Sequence, residues 1–131
     1  MPYRFDYEKL HVYQRSLAFV AWITELLERV PPRLAAPNQL DRAATSIPWN
    51  IAEGNGRFTQ ADRCRFFDVA RGLALECAAA LDVLVTKKIL AEAEIDGGKA
   101  TLAEVVSMLV GLIRSNSDSR MHDDVVQYRA S

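Results

Sequence analysis

The sequence predicts an all-α protein, an antiparallel four-helix bundle whose second helix is bent at a proline. Three observations carry that prediction. Apolar residues recur at three- and four-residue steps in four separate stretches. The links between them are short and marked by Pro or Gly. No stretch alternates apolar and polar residues as a half-buried strand would. At 131 residues, 50 % apolar and 25 % charged, the chain has the makeup of one soluble domain with a real core. Residues 1–115 are expected to form the bundle. Residues 116–131 are expected to form a mobile C-terminal tail, because SNSDSRMHDDVVQYRAS lacks a sustained pattern.

The opening residues MPYRFDYEKLHVYQ mix aromatics with charges and read as an arm entering the first helix, with Asp6 as its N-cap. That helix runs to about Val30. Its apolar residues form two rows: Leu10, Tyr13, Leu17, Val20 and Leu27, and beside them Val12, Phe19, Ile23, Leu26 and Val30. The stripe is wider than a two-helix seam needs. Trp22 and Trp49 fall off the main core rows, so the pattern points to self-association.

Pro31 and Pro32 end the first helix, and Pro37 suits a first helical position of the second. From Gln39 to Arg57 the second helix has two faces. Leu40, Ala43, Ala44, Ile47, Ile51 and Gly54 make a narrow apolar stripe, and Gln39, Arg42, Ser46, Asn50, Glu53 and Arg57 a polar one. Pro48 lies inside, where it removes the amide that would bond the carbonyl of Ala44. That defect costs roughly 3 kcal/mol if nothing offsets it, so a bend between Ala44 and Pro48 is expected.

Gly54-Asn55-Gly56 is expected to close this helix in the left-handed conformation. Thr59 with Asp62 makes a variant capping box, so the third helix begins near Gln60. Its main row is Phe66, Ala70, Leu73, Cys77, Leu81 and Leu84, flanked by Phe67, Ala74, Ala78 and Val85, and Lys87 and Lys88 suit the negative pole at its end. Leu102, Val105, Val106, Leu109, Leu112 and Ile113 define a fourth helix. Gly97 and Gly98 leave its start open.

At Arg42 to Arg57, RAATSIPWNIAEGNGR resembles the signature of the four helix bundle proteins encoded in intervening sequences of bacterial 23S ribosomal RNA genes. KLHVYQRS resembles that family's opening helix, FFDVARGLALE its third and SMLVGLIRS its fourth, so the likeness spans about Phe5 to Ser115. Tyr13 departs from the usual Trp. Leu73 departs from a common Ser, which puts a polar contact there in doubt. The resemblance implies an up-down-up-down bundle assembled as a ring of five copies. It also implies a more distant similarity to the accessory variability proteins of diversity-generating retroelements, which bind a reverse transcriptase and nucleic acid.

The residues themselves argue against several chemistries. Formal net charge is -1, so no overall basic field draws the chain to nucleic acid or anionic lipid. Only His11 and His122 could supply imidazole and no Glu-x-x-His occurs, so a bundle-type di-iron centre lacks its ligands, and no cofactor is expected. Cys64 and Cys77, thirteen apart on one helix, point to different sides and cannot join. Neither they nor Ser46 has a histidine in a catalytic pattern, and no enzyme activity is expected. No amino-terminal apolar segment suggests a signal peptide or membrane span. The expected setting is therefore reduced and cytoplasmic, with no membrane partner.

Two groups remain as candidate sites. Ser46, Pro48, Asn50, Glu53 and Arg57 read either as a solvated face or as an interhelix or subunit network that satisfies carbonyls freed by the proline, and the second reading is preferred. Arg57, Phe58, Arg63, Arg65 and Arg71 cluster around the turn between helices two and three, where arginine beside an exposed aromatic could grip RNA or DNA. Reversing Arg63 and Arg65 to Glu is expected to leave folding intact. The leading expectation is a non-enzymatic homo-oligomer, five copies by resemblance, presenting a repeated surface to a macromolecular partner, with a protein partner or RNA or DNA both open. The alternative is a nucleic-acid accessory factor acting through the arginines.

Overall fold

A computed structural model describes the backbone of residues 2–130 and the side chains of residues 2–117. Among the described residues every regular element is helical. A short 3-10 turn, Asp6–Lys9, precedes α1 (His11–Leu27), α2 (Ala36–Gly56), α3 (Gln60–Thr86) and α4 (Glu92–Ala130). The helices pack in cyclic order, α1 on α2, α2 on α3, α3 on α4 and α4 back on α1.

Asp6 is not the cap of α1. It lies in the 3-10 turn, and its carboxylate accepts from Asn55 Nδ2 at 3.0 Å, tying the arm to the end of α2. Leu10 precedes α1 with extended backbone and no side-chain cap. Of the two rows read on α1, Val12, Phe19, Ile23, Leu26 and Val30 are the buried one. In the other, Leu10, Tyr13, Val20 and Leu27 pack at the core margin of the same chain, and Leu17 stands exposed. Much of the apolar width of α1 is therefore used within the bundle. Trp22 is also engaged: its ring stacks 5.7 Å from that of Phe19 and covers Gly98 of α4.

α2 begins at Ala36, so Pro37 is one position inside it, and the helix runs through Pro48 to Gly56. The expected left-handed closure at Gly54-Asn55-Gly56 is absent, since no glycine has positive φ, and Arg57 leaves the helix with extended backbone. Gly54 is needed for another reason. A Cβ there would sit 2.9 Å from Phe67 Cε1 and 3.0 Å from Phe66 Cβ, so its bare backbone is what lets α2 and α3 approach.

Thr59 caps α3 as expected, its hydroxyl accepting from the Asp62 amide at 3.2 Å. The Asp62 carboxylate pairs with Arg65 at 3.7 Å. The core row of α3 keeps Ala70, Cys77, Leu81 and Leu84 of the expected one, with Phe67 and Ala74 from the flanking row buried in place of Phe66 and Leu73, which are only half-buried. The left-handed closure occurs at the end of α3, on Lys88 with φ 64°. The Ile89 amide donates to the Leu84 carbonyl at 3.0 Å and the Lys88 amide to Val85 at 2.9 Å, the paired bonds of a Schellman ending with lysine in the glycine position.

α4 starts at Glu92, five residues ahead of Gly97, helped by Glu94, whose carboxylate accepts from the Ala91 amide at 2.7 Å. Its backbone stays helical to Ala130, past the boundary expected at 115. Asn116 and Ser117 lie on that extension and meet α3: Asn116 Oδ1 accepts from Arg63 Nε at 3.0 Å, and Ser117 Oγ is 3.6 Å from Cys64 Sγ. These polar contacts hold helix to helix without an apolar pattern.

Candidate functional site

The polar stripe of α2 forms one wall of an outward-facing furrow against α3. Pro48 is buried, Ser46 and Asn50 are half-buried, and Glu53 and Arg57 are exposed. Their bonds run along α2. Asn50 Nδ2 donates to the Ser46 carbonyl at 2.8 Å, and Arg57 Nη2 to Glu53 Oε2 at 2.9 Å. The Ser46 carbonyl is not the one that Pro48 frees, which belongs to Ala44, so Asn50 does not offset the proline defect directly. None of these hydrogen bonds crosses to another helix among the described residues. One contact does cross: the Arg57 guanidinium lies 4.5 Å from the centroid of the Phe66 ring on α3.

Phe66 organises this end of the furrow. Arg65 also lies over its ring, 4.6 Å from the centroid. Phe5, Tyr7, Trp49, Asn50, Glu53 and Arg57 line the same open groove of about 870 Å³ with Phe66. Phe5 and Tyr7 stack at 5.7 Å, so the arm contributes an aromatic wall. Trp49 is 67 % exposed, Phe5 59 % and Phe58 103 %. Sequence periodicity missed the role of Phe66 because it assigned that side chain to the core row. No local signal gave the position of the arm, which depends on the Asp6 to Asn55 bond.

The arginines do not act as one cluster. Arg63 turns inward, donating to the Asn55 carbonyl at 2.7 Å and to Asn116 Oδ1 at 3.0 Å, with its guanidinium 5.8 Å from the Phe67 centroid. It is a joint between α2, α3 and α4. Reversing its charge would therefore leave a half-buried carbonyl without its donor, contrary to the expected tolerance of Arg63→Glu. Arg57, Arg65 and Arg71 each pair with a carboxylate, on Glu53, Asp62 and Asp68 respectively. Only Arg57, Arg65 and Phe58 remain beside the groove as an outward basic and aromatic group.

Further toward the start of α2, Gln39, Arg42, Ala43 and Ser46 face Leu73 and Glu76 of α3 across a second, smaller cleft. Beneath it Cys77 is buried, and burial followed by the charge of Glu76 pushes its thiol up to about 12. Cys64 is half-buried and donates to the Ile113 carbonyl at 3.6 Å. Among the described residues no group of three His, Cys, Asp or Glu could hold a metal ion, and no helix is long and apolar enough to cross a membrane.

Residues 8–111 match the family described as 23S rRNA-intervening sequence proteins, a span that takes in α1, α2, α3 and the first half of α4. The chain belongs to that family. The resemblance read in Arg42 to Arg57 is thus upheld over the helices that build both clefts. Among solved structures the fold is shared with a protein of unknown function from the S23 ribosomal protein family of Bacteroides thetaiotaomicron. The two are 23 % identical with a TM-score of 0.73, over 78 % of this chain and 97 % of that one. No curated protein matches the chain. The family is therefore established for this chain by sequence, whereas the solved relative speaks to its fold alone.

Proposed function

We propose that this family member is a non-enzymatic, self-associating bundle, with the furrow between α2 and α3 as its working surface. The observation that carries the reading is the exposure of Trp49 and Phe5 on the walls of one open groove. Aromatics of this size bring 150–250 Å² each, so these two, 67 % and 59 % exposed, leave about 200–300 Å² of ring surface in water beside one groove. Charged groups in the groove are already paired, as in Glu53 with Arg57, which suits a protein surface better than a solvent-facing one.

The bundle in this reading is antiparallel, up-down-up-down, with α2 bent at Pro48. Cross-helix pairs support the direction: Arg15 meets Glu104 and Arg29 meets Glu94, while Asp82 meets Lys99 and Arg63 meets Asn116. The assembly is a ring of five copies, as the family resemblance implies. The setting is the reduced cytoplasm, in keeping with two free cysteines. Light scattering coupled to size exclusion tests the reading: at micromolar concentration the chain elutes as an oligomer of defined mass, and a monomer would refute it.

The second reading is an RNA- or DNA-binding accessory factor. It is favoured by Arg57 and Arg65 stacked over Phe66 beside the exposed Phe58. Titration with mixed-sequence RNA and DNA at two salt concentrations, using Arg65→Glu and Phe58→Ala rather than Arg63, tests it. Binding that is absent at low salt, or indifferent to salt and to both variants, removes this reading.

A further inference from the structure

The large apolar side chains left in water are not spread evenly round the bundle. Among the described residues α4 exposes none and α1 only Leu17. The arm, α2 and the turn after it expose Tyr3, Phe5, Trp49 and Phe58, of which Phe5 and Trp49 wall the groove. The remaining three, Val69, Leu75 and Val83, all belong to α3. Between Val69 and Val83 the other exposed residues of α3 are Gly72, Glu76, Ala79 and Asp82, and Asp82 is bridged to Lys99 at 2.7 Å. At 100° per residue Val69, Gly72, Leu75, Ala79 and Val83 fall within about 120° of one another, on the side of α3 opposite its core row. One face is thus a recess walled by rings, the other a ridge of aliphatic and small side chains. A ridge packs into a recess more closely than into another ridge.

Their positions suit copies standing side by side. Neither α1 and α3 nor α2 and α4 touch, so α2 and α3 are neighbouring corners of the bundle and their outward faces point about 90° apart. Trp49 marks the outward face of α2, about 180° round from the middle of the buried stripe. Gly54 lies against Phe67, and Trp49 is five residues before the one as Gly72 is five after the other, so in antiparallel helices Trp49 and Gly72 stand at one height. A contact between two different faces closes into a ring when those faces are set at the ring's interior angle, about 90° for four copies and about 108° for five. Faces on opposite corners, such as those of α1 and α3, would give an open filament instead.

The area is adequate as well. Three half-exposed aliphatic side chains add roughly 100–180 Å² to the ring surface of Trp49 and Phe5. These five side chains then supply about a third to a half of the apolar area in an interface of standard size, before Ala52, Gly72 and Ala79 are counted.

We infer that the groove of one copy receives the outward face of α3 of the next, with Val69, Gly72 and Leu75 packed against Trp49 and Phe5, and that this contact between unlike faces closes the ring. The inference rests on the self-association reading and adds to it the two faces that meet.

Light scattering coupled to size exclusion tests it on the full chain. Trp49→Glu blocks the groove and Leu75→Glu the ridge, and each alone weakens assembly at least tenfold, leaving monomer at micromolar concentration. Mixed in equal amounts at high micromolar concentration, the two variants form a dimer and nothing larger, because one keeps a sound ridge and the other a sound groove. Phe5→Ser with Val69→Glu repeats the experiment from the other wall and the preceding turn. Leu17→Glu, outside both faces, keeps the ring. All five positions are exposed, so helical content and the urea midpoint of the dissociated chains match one another. A ring that survives either blocking substitution, a mixture that stays monomeric, or a ring lost equally in Leu17→Glu overturns this contact while self-association stands. A monomeric wild type overturns both.

Discussion

Gly98→Ala should destabilise this protein although helix propensity says the opposite. Replacing a helical glycine with alanine ordinarily gains about 0.5–1 kcal/mol, because glycine has more backbone freedom to lose on folding. At position 98 the new methyl would lie 2.6 Å from Trp22 Cε3 and nearer still to Cζ3 and Cη2. Ordinary contact begins near 3.4 Å, so the indole would have to retreat by about 1 Å. It has Phe19 stacked beside it at 5.7 Å and Leu26 alongside, so retreat disturbs the α1 core row. Overpacking of this kind costs roughly 1–3 kcal/mol. Gly97 is the control on the preceding residue, since its Cβ would meet Trp22 Nε1 at an ordinary 3.9 Å. Gly97→Ala should therefore stabilise by up to about 1 kcal/mol, and the two variants should differ by about 2–3 kcal/mol. In urea titrations followed by far-ultraviolet circular dichroism the midpoints separate at unchanged slope, and thermal midpoints differ by about 6–12 °C. Trp22→Leu should relieve most of the Gly98→Ala penalty in a double-mutant cycle. A Gly98→Ala protein as stable as Gly97→Ala would refute the close approach of α1 and α4.

Three further outcomes follow from the same packing. Ile51, fully buried on α2, should not tolerate Asp: Ile51→Asp costs several kcal/mol, and a normal melting temperature would show that the buried face of α2 is misassigned. Lys88 holds φ 64°, a conformation that costs a side chain about 1 kcal/mol and glycine almost nothing, so Lys88→Gly should raise stability by up to about 1 kcal/mol in urea titration, and a loss would deny the Schellman ending. Cys77 keeps its proton in the folded state up to about 12, against 9.0 for the free thiol, while the unfolded chain releases it earlier. Its contribution is thus intact below pH 9 and falls as pH climbs toward 12. Cys77→Ala should flatten that decline, and at pH 8 a thiol reagent should modify Cys64 well before Cys77.

Periodicity located four helices, and the Thr59 cap and the α2 faces were legible from residue type alone. The α2 apolar stripe, Leu40 to Gly54, is buried as written. These features depend on interactions within a few residues, which local sequence encodes. The candidate site was legible only in part. Its α2 residues share one face, as their spacing predicts, whereas Arg63, expected to face outward, is a joint. Phe66 was assigned to the core and is the ring under two arginines. Both lie at the edge of the buried face of α3, where a 3.6-residue period does not say which of Phe66 and Phe67 is covered, and where the partners of Arg63 come from α2 and α4.

By itself, then, the sequence determined the helical class, the boundaries set by prolines and by Thr59, the family, and which face of α2 is apolar. Tertiary structure alone decided why two glycines are required. Gly54 lies under Phe67 and Gly98 under Trp22, each pairing joining residues more than ten positions apart. It also decided that Lys88 rather than Gly56 takes the left-handed turn, and that Arg42 and Glu76 share a cleft. Spacing along one helix determines which residues share a face, but which face of a neighbouring helix meets it is settled by the fit of side chains across the gap, and that fit has no local signature.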